Sequence, residues 1–421
     1  MATRFQVLPG FRDFYPDDCA ARNYVFDVWR KVSRRYGFVE YEGPMLEPTE
    51  LYTRKSGAEI VNQLFCFTDK GEREVSLRPE LTPTLARMAA ARHRDFRKPM
   101  RWFSIGQFFR YERHQKGRGR EFYQFNCDLL GETAAAADAE LIALAIDLMR
   151  ELGFTTEHFR LRVSDRNAWV RFAESKGLEG DGIASFLQII DKMERTPEEK
   201  TRELLGVFGI TLEAVRKLIG SGAEVSPVLA EVVENLQQRG LGDYVEVDLG
   251  IVRGLAYYTG IVFEIFDIGQ GMRAIAGGGR YDQLVELIGG VDLPACGFAM
   301  GDMVITDLIR ATSEPCRRLD EAIAADGAVD VWLVLADETK QAEALSLAQT
   351  LRDAGFRVAL PLTPAKVVKQ FQQAESSGAI TAVVVGSEFP EVAIKDLAKR
   401  TETRCAAAAL VGALRDLLGN S

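Results

Sequence analysis

The sequence predicts two unlike folds in one chain: an α+β unit built on an antiparallel sheet, followed by a smaller α/β unit. Three observations carry this. Up to about residue 310, apolar and aromatic runs are joined by turns, as in RWFSIGQFFRYERHQKGRGREFYQFNCDLL (101–130), which reads as a long hairpin with a basic tip. From about residue 329 onward, strand-like and helix-like segments alternate regularly. A chain of 421 residues also exceeds what one hydrophobic core usually organises.

The elements follow in order. Residues 20–36 carry apolar side chains at helical spacing and read as an amphipathic helix. GPMLEPTELY (43–52) reads as an extended segment and a helix start, because Pro44 and Pro48 forbid a long regular element. In REVSLRPELTPTLARM (73–88) a strand ends at Arg78-Pro79-Glu80 and a helix starts at Thr82-Pro83, which puts Glu80 at the corner. Residues 134–152 form a strong helix that Gly153 ends. Strand-like runs vanish over 166–240, a helical insertion, and return at 241. Glycines 277–279 before an amphipathic helix mark a close backbone approach. A polar stretch at 313–328 reads as a linker. Beyond it VWLVLA, FRVALP and ITAVVVG alternate with helices, which predicts a largely parallel sheet. The expected domains are therefore residues 1–165 with 241–312, the insertion 166–240, the linker 313–328, and 329–421.

Composition narrows the function. The net charge of −9 argues against a general nucleic-acid coat, so any such contact needs a local basic patch. No apolar run approaches about 20 residues, and no membrane span is expected. The N-terminus lacks a secretory h-region. Six scattered cysteines without a C-x-x-C, and only three histidines, leave no metal cluster. Reduced thiols in the cytoplasm are the simplest assignment.

Strand alternation sorts side chains by face. In EFYQFNCDLL, Phe122, Gln124, Asn126 and Asp128 share one face, while Tyr123, Phe125, Cys127 and Leu129 share a core-like one. A polar face is either solvated or satisfied by a ligand. Glu80 is either a helix N-terminal acid or part of a site. Tyr258, Gly260, Val262 and Glu264 share a face behind Arg253. Five cations, Arg110, Arg113, Lys116, Arg118 and Arg120, fall within eleven residues. They form either a solvated tip or a polyphosphate cradle, since guanidinium forks match phosphate oxygens.

These pieces together resemble the histidine–tRNA ligases, class II aminoacyl-tRNA synthetases, over nearly the whole chain. LPGFRDFYP is similar to the family's N-terminal segment, GPMLEPTELY to motif 1 of the dimer interface, and FFRYERHQKGRGREFYQF to motif 2. VRGLAYYTGIVFE resembles the histidine-specific RGLDYYTG segment, AGGGRYD a further signature, and CGFAMGD motif 3. The last domain resembles the class II anticodon-binding domain.

The resemblance implies a reaction, partners and roles. L-Histidine and ATP, with Mg²⁺, would give histidyl-adenylate, and the histidyl group would pass to the 3′ end of tRNA(His). The enzyme would be a cytoplasmic homodimer. Arg110 and Arg253 would be catalytic, with Arg110 on the ATP α-phosphate and Arg253 on the substrate carboxylate or that phosphate. Glu112 would sit near adenine, and Arg118 on the terminal phosphates. Glu80, Thr82 and Gln124 would hold the α-amino group. Asp128 and Tyr258 would bracket the imidazole. Tyr257, Gly277 and Gly278 would complete the histidine site.

The chain departs from the family pattern at several positions. Val304 stands where a motif 3 Arg usually clamps the γ-phosphate, Ala256 where an Asp is usual, and His114 where a Pro is expected. Asp128 is one methylene shorter than the expected Glu. Losing the motif 3 cation would weaken ATP binding about 10- to 100-fold unless Arg113, Lys116 or Arg120 compensates. A second reading is thus a non-charging, histidine-binding paralogue, such as a regulatory subunit of ATP phosphoribosyltransferase. A third is an adenylate-forming ligase that does not act on tRNA. Such regulatory paralogues generally lack the C-terminal domain present here. In that domain Lys366, Lys369, Lys395, Lys399 and Arg400 are either tRNA contacts or a solvated face.

Overall fold

Apolar alternation in the first 310 residues yields an eight-stranded, mostly antiparallel sheet. The computed structural model describes residues 5–54, 62–112, 117–253, 257–269, 271 and 273–419. Ala256 and the loop residues Arg113, His114, Gln115 and Lys116 lie outside the described residues. Contacts divide the chain into two units. One holds the N-terminal residues to Phe14 and Arg22–Leu319; the other holds Tyr15–Ala21 and the chain from Asp320.

In the first unit, strands β1 (Val39–Glu40), β2 (Leu46–Pro48), β3 (Phe65–Thr68), β4 (Glu74–Leu77), β5 (Met100–Phe109) and β6 (Glu121–Leu130) come first. β7 (Phe159–Asp165), β8 (Val245–Val247), β9 (Ile261–Asp267), β10 (Ala276–Arg280) and β11 (Ala295–Gly301) follow. The main sheet runs β1-β5-β6-β11-β10-β9-β7-β8, and a small sheet runs β2-β4-β3. Only β1–β5 and β7–β8 pair parallel within the main sheet.

The 101–130 segment is the expected hairpin, with Met100 opposite Leu130 and Phe109 opposite Glu121. Its apolar face packs under helix Pro16–Arg35, where the Trp29 ring lies 5.5 Å from Phe125 and Phe125 lies 6.1 Å from Phe103. Burying each such side chain is worth about 1.5–3 kcal/mol. Helix Ala135–Glu151 is apolar nearly all round and accordingly buried. Gly153, at φ +97°, ends it. Arg280 ties that helix to the sheet, its Nη2 donating to Asp138 Oδ2 at 2.6 Å.

The insertion folds as helices Arg166–Ser175, Asp181–Lys192, Glu198–Gly206, Leu212–Ile219 and Pro227–Gln238. Asp165, Thr211 and Ser226 cap three of them through their side-chain oxygens. Trp169 anchors the first to the sheet side, its indole donating to the Leu249 carbonyl at 2.7 Å.

Two expectations need correction. The polar stretch read as a linker is helical over Ser313–Gly327. The second unit also departs from regular strand–helix alternation. Its strands are β12 (Val331–Leu335), β13 (Val358–Ala359), β14 (Thr381–Val385), β15 (Glu391–Asp396) and β16 (Thr401–Ala406), in the order β13-β12-β14-β15-β16. Only β13, β12 and β14 are parallel; β15 and β16 form an antiparallel hairpin. The hairpin was hidden because β16, TETRCA, is almost wholly exposed and polar. Its turn is held by Asp396, which accepts from the amides of Ala398 and Lys399. Lys395 pairs with Glu402 at 3.2 Å and Lys399 with Asp396 at 3.3 Å.

Candidate active site

The polar face of β6 opens onto a cavity of about 310 Å³. Gln124, Asn126 and Asp128 line it, so period-2 alternation placed them correctly. The fourth member of that face, Phe122, lines an adjoining cavity of about 790 Å³. Both cavities include Arg110, Arg118 and Glu264.

The small cavity is enclosed from three directions. Helix Thr82–Arg92 begins at the expected corner, and Glu80 and Thr82 project from it. Arg253, Tyr257 and Tyr258 come from the segment before β9, and Tyr281 follows β10. Leu85, Trp102, Val262 and Leu284 pack behind the three tyrosines in one buried cluster.

Glycines in the strands make room for charged side chains. A β-carbon at Gly277 would collide with the Arg253 guanidinium, and one at Gly297 with the Asp128 carboxylate. A third, at Gly106, would strike the buried guanidinium of Arg78. Each residue faces its cation or carboxylate across the sheet surface, where only hydrogen fits. Gly278 differs. Its missing side chain faces the Gly297 carbonyl and Phe298 on β11, and it does not line either cavity. Alternation thus turns Gly278 to the face opposite that of Gly277.

Arg253 sits at φ +54°, a left-handed conformation that costs a side-chain-bearing residue about 1–2 kcal/mol. Arg166 holds it there, donating from Nη1 to the Arg253 carbonyl at 3.1 Å. The Arg253 guanidinium carbon lies 5.4 Å from the Tyr258 ring centroid, and Nε lies 3.5 Å from Glu264 Oε1. Arg110 approaches from the end of β5, donating from Nε to the Pro79 carbonyl at 2.9 Å, over the Phe122 ring.

Two buried carboxyls mark the small cavity. Tyr257 donates to Glu80 Oε2 at 3.0 Å, and Glu80 Oε1 has no partner among the described residues. Burial pushes the Glu80 carboxyl up, against the opposing pull of Arg110 and the Tyr257 hydroxyl. Burial raises Asp128 to about 7, although it accepts a hydrogen bond from the Tyr281 hydroxyl.

In the wide cavity Glu112 pairs with Arg118 at 2.7 Å, and Met303 and Val304 form an apolar wall. Asp302 turns away to Arg12, at 2.9 Å. Arg120 also turns away: it lies over the Tyr111 ring at 4.3 Å, and its Nε donates to the Glu112 carbonyl. It lines neither cavity, which corrects its proposed compensating role.

Most expected residues thus converge on the small cavity, with Glu112 on the wide one. Sequence reasoning passed over Asn126, although it had placed it on the polar face. It also passed over Tyr281, which counting by twos from Gly277 would have reached. Arg195 and Arg273, on the wide cavity, carried no local signal. Chemically, the pair of cavities offers a smaller polar slot lined by carboxyls, adjoining a wider arginine-rich basin.

Residues 10–303 match the family model for histidyl-tRNA synthetase, and residues 330–417 match that for an anticodon binding domain. The chain is 43% identical to the histidine–tRNA ligase of Opitutus terrae, over 96% of both chains. It is 38% identical to the chloroplastic/mitochondrial histidine–tRNA ligase of Arabidopsis thaliana, over 90% of this chain and 79% of that one. The crystal structure of histidyl-tRNA synthetase from Nostoc sp. PCC 7120 has the same fold, with a TM-score of 0.78 at 23% identity over 98% of this chain and 99% of that one.

Proposed function

Because this chain belongs to the histidyl-tRNA synthetase family, we propose that it activates L-histidine with ATP and transfers the histidyl group to the 3′ end of tRNA(His). The observation that carries the mechanism is the convergence of Arg110 and Arg253, from distant segments, on one polar cavity. A histidine carboxylate oxygen attacks the α-phosphorus of ATP and pyrophosphate leaves. The terminal ribose hydroxyl of tRNA then attacks the acyl carbon of the adenylate and AMP leaves. Both steps need positioned charge rather than a protein nucleophile.

Arg110 and Arg253 neutralise the α-phosphate as its charge redistributes. The buried, half-satisfied Glu80, with Thr82 and Gln124, takes the α-ammonium. Asp128, held by Tyr281, and Tyr258 take the imidazole nitrogens. Tyr257 orients Glu80, and the Gly277 backbone flanks the amino acid. A site built for two ring nitrogens leaves polar groups unpaired when another amino acid enters. Glu112 and Arg118 border the nucleotide.

Mg²⁺ accompanies ATP in this reading. Among the described residues no cluster of three carboxylate, histidine or cysteine side chains is found. The ion would neutralise phosphate charge beside the arginines that line the two cavities.

Residues 1–165 with 241–312 form the catalytic domain, 166–240 an insertion, 313–328 the connector, and 329–421 the anticodon-binding domain. Presence of that last domain favours charging over the regulatory-paralogue reading. A homodimer is supported by exposed apolar side chains at Val39, Met45 and Leu46, around the motif 1 segment. A cytoplasmic location is supported by six cysteines that form no disulfide with one another. Among the described residues no helix is long and apolar enough to cross a membrane.

The test is histidine-dependent ATP–pyrophosphate exchange, run beside the other amino acids and followed by charging of tRNA(His). Histidine binding without exchange would favour the paralogue.

A further inference from the structure

The wide cavity draws guanidinium groups from three separate parts of the chain. Arg110 and Arg118 come from the hairpin. Arg195 ends the short 3₁₀ turn Met193–Arg195 inside the helical insertion, and Arg273 lies in the loop before β10. The carboxylates on the same cavity are largely committed: Glu112 to Arg118, Asp302 to Arg12, and Glu264 near Arg253. The remaining wall, Met303 and Val304, has no charge. The basin therefore holds an excess of positive charge.

We propose that Arg195 and Arg273 form the clamp for the β- and γ-phosphates of ATP, supplying from the insertion and the β10 loop the charge that Val304 cannot. This rests on the ligase reading above. A cavity of about 790 Å³ is in the range that holds a small-molecule ligand of nucleotide size. The arginines also work against one another. Partial loss of solvent first, and then the like charges of Arg118 and Arg195, push the Arg273 guanidinium down, against the pull of Glu112. Cations gathered at mutual cost are relieved by a polyanion, and guanidinium forks match phosphate oxygens. The clamp makes the insertion part of the nucleotide site: its Arg195 closes on the triphosphate, while Arg166, at its first helix, supports the Arg253 backbone.

Exchange by the unaltered protein tests the ligase reading alone. Given exchange, Arg195→Ala and Arg273→Ala are each expected to raise the KM for ATP about 10- to 100-fold. The KM for histidine and the thermal midpoint should stay unchanged, because both side chains are exposed. Calorimetric binding of AMP, which lacks the distal phosphates, should also be unaltered, and Lys at either position should recover part of the ATP affinity. An unchanged KM for ATP in both variants would overturn the clamp. So would equal losses for ATP and AMP, or a parallel rise in the KM for histidine.

Discussion

The Arg253 guanidinium lies directly on the Cα of Gly277, in space that any side chain would occupy. The colliding atoms belong to the mobile end of an arginine. Gly277→Ala should therefore keep the fold and displace the guanidinium, lowering exchange about 100-fold. Gly278→Ala makes the opposite case, since its β-carbon meets the Gly297 carbonyl and Phe298 on β11. That variant should lose about 1–3 kcal/mol in chemical denaturation. Equal stability losses in the two variants would contradict the assignment.

Arg110→Ala should remove α-phosphate stabilisation while the sheet remains intact. The expected loss in exchange rate is about 10²–10³-fold. Near-normal exchange, with unchanged circular dichroism, would take Arg110 out of the reaction.

The tyrosines should act on histidine rather than on ATP. Tyr257→Phe strips Glu80 of the hydrogen bond from the Tyr257 hydroxyl and should raise the KM for histidine about 10-fold. Tyr258→Phe should raise it as well. If steady-state kinetics return an unaltered histidine KM for Tyr258→Phe, the imidazole contact is wrong.

Asp128 gives stability a pH slope. Its carboxyl titrates near 7 in the folded protein against 3.8 ordinarily, because burial disfavours the charge. Between about pH 4 and 7 the folded chain keeps a proton that the unfolded chain has lost. The contribution is complete below about 4 and lost as pH rises to about 7. Asp128→Asn should flatten this slope, by at most about 4 kcal/mol across the window. Urea denaturation of both proteins at pH 4.5 and 8, compared as a difference, checks it; parallel slopes would refute it.

In the second unit, buried Gln370 bridges strand and loop: Oε1 accepts from the Leu335 amide at 2.8 Å, and Nε2 donates to the Leu335 and Ala365 carbonyls. Gln370→Leu leaves these groups unpaired and should cost about 1–3 kcal/mol. Faster hydrogen exchange at the Leu335 amide would report it, whereas undiminished protection would count against the bridge.

Much of the site was legible from local pattern. The β6 polar face followed from a period of two, and Glu80 from a strand meeting a Thr-Pro helix start. The β15–β16 hairpin was missed because TETRCA carries almost no burial signal, and Arg120 was misjudged because its neighbours Gly10 and Tyr111 hold it elsewhere.

The chain's own order of residues determined its elements, the two unlike units, and which side of each strand is polar, because those properties depend on neighbours a few residues away. Tertiary packing alone decided that Arg253 would rest on Gly277, that Tyr281 would hold Asp128, and that an insertion arginine would join the wide, arginine-lined cavity. Those contacts join segments far apart in sequence, and geometry between sheets and helices, rather than any local periodicity, brings their charges within reach.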